Sequence, residues 1–163
     1  MMIDKLPERL IHVLNQSGFY RNYLISEYEY LEILERYKKF DIYLSDSAKD
    51  LIKVFGNRII IYNNDSISNR SFPYKISFNT SEVLGKYKNI KSLKTVILSN
   101  KEKLGVEYLI PIAVMPSGPM IFYLDNSDNI HGILDSLILH YCGRNVWKSF
   151  EKVLNGDEMN KQE

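Results

Sequence analysis

The chain reads as an α+β protein, an antiparallel β-sheet flanked by N-terminal and C-terminal helices. Three observations predict it. Amphipathic helical stripes open and close the chain, strand signals cluster in its middle, and no regular βαβ alternation links those strands. With 45% hydrophobic and 25% charged residues, the composition of the 163 residues is that of an ordinary globular protein. The length predicts one domain, 1–156, with a polar tail over 157–163.

The elements follow in order. Pro7 suits the first turn of a helix, with Asp4 placed to cap it. Leu10, Val13 and Leu14 supply its apolar stripe and Gly18 ends it. A second helix spans 27–39, with Tyr30, Leu31, Leu34 and Tyr37 at helical spacing. Its acidic face holds Glu27, Glu29, Glu32 and Glu35. Leu44, Ala48, Leu51, Ile52 and Phe55 form the clearest stripe of all, with Ser45 or Ser47 as cap. Gly56 is expected at positive φ after it.

Arg58-Ile59-Ile60-Ile61-Tyr62 is β-branched, too short for a helix, and bounded by Asn63-Asn64-Asp65, so it reads as a strand. After Phe72-Pro73, the residues Tyr74, Ile76 and Phe78 alternate with Lys75 and Ser77, the mark of a half-buried strand. A short helix capped by Thr80 or Ser81 carries Val83, Leu84 and Tyr87, and 93–104 reads as another helix. Strands are expected at 107–115 and 120–124, joined by Pro116-Ser117-Gly118-Pro119. A turn at 125–129 leads to a short strand at 130–131, then a further strand at 137–141. Asn145 caps the last helix, whose inner face is Val146, Trp147, Phe150, Val153 and Leu154, and Gly156 closes it.

Charge and cysteine content narrow the function. Lys plus Arg is 21 and Asp plus Glu is 20, a net +1, which rules out a strong electrostatic case for nucleic acid. One cysteine, Cys142, forbids an intrachain disulfide and suits a reducing, cytoplasmic compartment. The opening residues lack the basic and apolar regions of a secretory leader, and no run reaches the ~18 apolar residues of a membrane span.

Chemistry-bearing motifs are sparse. His12, His131 and His140 have no metal-ligand spacing, and neither a metal nor an organic cofactor is expected. His140 and Cys142, two apart on a strand, share a face, so an activated thiol is the enzymatic reading. Asp125, Ser127, Asp128 and Asn129 belong to a turn, without the glycine and glutamate of a calcium loop. Lys86, Lys88, Lys91, Lys94, Lys101 and Lys103 form a basic stretch with only Glu102 as counterweight. Twelve tyrosines add recognition potential.

An ordered set of landmarks resembles the SUKH superfamily, in particular its third bacterial immunity-protein subgroup. Ser17-Gly18-Phe19-Tyr20-Arg21 resembles the opening "AGW…R", with Phe19 for tryptophan. The helix over 44–55 followed by Gly56-Asn57 resembles the "FGG" ending. Pro111-Ile112-Ala113 stands for "PIG", and 124–131 for the "DxxGxVY" turn. Gly143 and the helix ending Val153-Leu154-Asn155-Gly156 match the close.

The resemblance implies an immunity protein that binds a cognate toxin, such as a nuclease or deaminase domain, and blocks it by occlusion. No enzymatic activity, direct nucleic-acid contact or membrane contact is implied. Glu27, Glu29, Glu32 and Glu35 are the residues assigned to a basic toxin. The alternative is a regulatory adaptor that binds an endogenous protein.

Overall fold

A computed structural model describes residues 6–20, 23–63, 73–116 and 118–157. Its elements run α1 (Glu8–Gln16), α2 (Glu27–Lys39), α3 (Asp46–Phe55), β1 (Ile59–Tyr62), β2 (Tyr74–Ser77), α4 (Thr80–Gly85), α5 (Ile90–Leu104), β3 (Leu109–Val114), β4 (Ile121–Asp125), β5 (Ile130–Leu134), β6 (Leu137–Tyr141) and α6 (Val146–Asn155). The six strands form one antiparallel sheet in the order β1-β2-β3-β4-β5-β6, flanked by helices, so the fold is α+β as expected. Expected features at Asp4, Arg21, Asn64, Asp65, Phe72, Ser117 and 158–163 lie outside the described residues.

The helices begin where side chains can accept from free amides. Ser45 accepts from the amide of Ala48, Asn79 from Ser81 and Glu82, Asn89 from Ser92, and Asn145 from Lys148. Ser26 and Glu29 form a reciprocal capping box at α2. Three expectations need correction here. Pro7 is the N-cap of α1 rather than part of its first turn. Asn79, one residue before the helix with its Oδ1 accepting from the amides of Ser81 and Glu82, takes the capping role expected of Thr80 or Ser81. Gly56 sits at φ −51°, and the left-handed residue is Asn57 at 58°.

Gly56 is required for space instead. A Cβ there would lie 2.5 Å from the Ile52 carbonyl and 2.7 Å from the Ile33 side chain.

Two apolar clusters sandwich the sheet. The larger draws Ile60, Ile76, Ile110, Phe122, Leu124, Ile130 and Tyr141 from one face, under buried residues of α1, α3 and α6. Phe55 sits at its centre, stacked on Phe78 at 5.1 Å and edge-on to Phe150 at 4.9 Å. The smaller holds Leu109, Tyr123 and Ile133 from the opposite face, with Ile97 and Leu104 of α5 packed against it. Pro111 occupies an interior strand, and the register shifts between Pro111 and Ala113, the irregularity that lets a residue without an N–H sit there. Its carbonyl accepts the hydroxyl of buried Tyr37 at 2.7 Å, and burial raises that phenol's pKa.

Ser17 bonds to one edge of the sheet. Its Oγ accepts from the Ile61 amide at 2.9 Å, beside β1. No helix among the described residues is long and apolar enough to cross a membrane.

Candidate functional site

The acidic residues singled out in the sequence all lie on the exposed side of α2. The helix buries Ile33 and Tyr37, and the core residue expected at Leu31 is displaced by Ile33, so Leu31 is 52% exposed. Tyr28 is 77% exposed. Helical spacing sets Glu27, Leu31 and Glu35 in one row and Tyr28 and Glu32 in the next. Two apolar side chains therefore stand within a rim of carboxylates.

The four glutamates are not equivalent. Glu29 closes the capping box, and its charge favours the protonated state of Arg58, whose pKa burial lowers. Arg58 in turn lies over the Phe19 ring at 4.2 Å and donates to the Tyr23 carbonyl at 2.8 Å. Glu32 pairs with Arg36 at 3.0 Å, and Arg36 also reaches Ser81 of α4. Glu27 and Glu35 have no hydrogen bond or ion pair among the described residues, which leaves their charges available to a partner.

A second constellation lies on β4, β5 and β6. Asp125, 2% exposed, binds His131, 5% exposed, through Oδ2 and Nε2 at 2.8 Å. His131 meets His140 Nδ1 to Nδ1 at 2.9 Å. The bond to Asp125 places the proton of His131 on Nε2, so a neutral His131 accepts at Nδ1 from His140. Asp125 also accepts from the amides of Ser127 and Asn129 at 2.8 and 3.0 Å.

Burial alone would raise the Asp125 pKa. The bonds from His131 and the two amides outweigh it and hold the carboxyl below its ordinary value. The turn expected at 125–129 is present, but its first aspartate is also the anchor of this string. The sequence reading paired His140 with Cys142, whereas the structure brings His140 to His131.

Cys142 differs from an activated thiol. Burial and the nearby Asp125 charge raise its pKa, against the weaker opposite pull of Lys152. His12 is exposed on α1, away from this group. Among the described residues, no three His, Cys, Asp or Glu side chains converge to hold a metal ion. The basic stretch is mostly exposed, and Lys94 has a counterion the sequence did not reveal, Asp41 at 2.6 Å.

The α2 face and the partly buried string thus divide the chemistry. One offers exposed apolar groups and uncommitted charge; the other spends its polar groups on one another. Compared with protein-family models, curated proteins and solved structures, the chain matches none.

Proposed function

We propose that this protein works by covering another protein, as a cytoplasmic immunity protein that occludes a cognate toxin. The observation that carries the reading is the outer face of α2. Tyr28 and Leu31 are the anchors, and Glu27, Glu32 and Glu35 surround them. Interfaces of this kind take their energy from a few desolvated aromatic or aliphatic groups. Complementary charge at the rim speeds encounter and selects the partner. A carboxylate rim suits a basic surface, such as the substrate channel of a toxin that acts on nucleic acid. The SUKH-like order of landmarks supports the same reading.

The test is capture of the C-terminal domain of an exported toxin encoded beside this gene. The full chain is expected to bind that domain and to rescue cells that express it. Reversing Glu27, Glu29, Glu32 and Glu35 to lysine is expected to weaken capture, chiefly through a slower association rate. Failure of the wild-type chain to rescue would remove the immunity reading. An unchanged dissociation constant in the reversed variant would remove this face.

A further inference from the structure

The start of β3 lies under a cleft that α5 and residues 41–43 leave open. Its volume is about 450 Å³, within the range of small-molecule sites. Leu93, Ile97, Leu109 and Ile110 line it, and Leu98 stands at the side, 55% exposed. Leu109 and Ile110 are successive strand residues that point to opposite faces, so the cleft reaches the place where the two apolar clusters meet.

The cleft has a local cause. Of the fifteen residues of α5, only Leu93 and Asn100 are buried. A helix seated by so little apolar surface does not close flush against β3.

Its rim carries charge of one effective sign. Lys94 and Asp41 both border the cleft and neutralise each other at 2.6 Å. Lys101 also borders it, is only partly exposed, and its ammonium has no partner among the described residues. Lysine stems commonly lie along apolar surface while the head stays wet. Lys101 thus offers one uncommitted cation at the border of a largely hydrocarbon-lined cleft.

We infer that this cleft binds a small amphipathic carboxylate, its hydrocarbon body on Leu93, Ile97 and Leu98 and its carboxylate on Lys101. A multiply charged, sugar-like or phosphate ligand would leave the floor unused. A neutral hydrocarbon would leave Lys101 unpaired. The α2 face takes no part, so this binding stands independently of the immunity function.

Decanoate is the probe, titrated calorimetrically into the full chain. Saturable one-to-one binding is expected, with decanol about tenfold weaker because it lacks the charge-assisted bond. Lys101→Met should weaken decanoate about tenfold and leave decanol unchanged. Leu98→Asp, at an exposed position, should abolish both. Lys103→Met, on the same helix but outside the cleft, should change neither. Urea midpoints matched to wild type establish that each variant folds, and Lys101→Gln serves if Lys101→Met does not. Absence of saturable decanoate binding at millimolar concentration would overturn the assignment, as would binding that survives the Lys101 and Leu98 changes undiminished.

Discussion

The two faces of the sheet are built on different principles. Under α1, α3 and α6 the contacts are aromatic and aliphatic, with Phe55, Phe78 and Phe150 in mutual contact. On the other face only Leu109, Tyr123 and Ile133 form the cluster, and polar pairs supply much of the remainder. There the hydroxyls of Tyr87 and Tyr123 meet at 2.6 Å, and Asp125, His131 and His140 join in a string. Dispersion and burial tolerate many arrangements of similar volume, whereas polar partners at hydrogen-bond distance are far more selective of geometry. The first face supplies bulk stability. The second adds directional contacts across β4, β5 and β6, and beside it α5 leaves an open cleft.

Truncating the aromatic centre should have the largest effect. Phe55→Ala is expected to cost about 3–5 kcal/mol in urea unfolding, since Phe55 is fully buried and packs with the rings of Phe78, Trp147 and Phe150. A loss below about 1 kcal/mol would mean that the large cluster is not the stabilising face. His131→Ala comes next, at about 3 kcal/mol, because it leaves the buried Asp125 carboxylate without its imidazole. If that variant matches wild type, the polar string is not under strict demand. Tyr123→Phe deletes one hydroxyl of a buried pair and should cost about 1–2 kcal/mol. The same measurement on an exposed tyrosine, Tyr28→Phe, provides the baseline.

Acid titration sharpens the contrast without a mutation in the core cluster. The folded pKa of Asp125 lies below its unfolded value. Between the two values the unfolded chain binds the extra proton, so stability rises with pH there. The contribution is complete above the ordinary carboxylate pKa of about 4 and is lost as pH falls through the lower folded value. Asp125→Asn should flatten that part of the urea-midpoint profile. Identical acid profiles for the two proteins would show that the string carries no linked proton. The smallest expected effect is Tyr28→Ala: within about 0.5 kcal/mol of wild-type stability, yet with weakened toxin capture.

Local signals were legible where one element decided the outcome. The limits of α2 and β6 follow from their own residues, and Asn145 and Gly156 bracket α6 as expected. What depends on tertiary packing was harder to read. Ile33 rather than Leu31 turns inward because the core meets α2 on that side, and helical spacing alone accommodates either. Gly56 announces a helix end, yet its role is set by the side chain of Ile33 on another helix.

The histidine pair was nevertheless recoverable. Residues 135–136 form a two-residue hairpin turn, with Asp135 at φ 50° and Leu134 opposite Leu137. The fourth pair outward from that turn sets His131 against His140. Ending the strand at 131 concealed the register. Asp125 had no comparable signal, since its approach to His131 depends on the β4–β5 pairing as well. The exposed glutamates were legible as a surface, but the divided loyalties of Glu29 and Glu32 appear only in three dimensions.

The hydroxyl of Ser17 has a consequence for self-association. Backbone groups at an unprotected margin recruit neighbouring chains, and a sheet with two such margins can lengthen without limit. Here one donor of the β1 margin, the Ile61 amide, is already bonded by a residue of the same polypeptide. A strand arriving at β1 would have to displace that hydroxyl before it could pair with Ile61, a cost that an open margin would not impose.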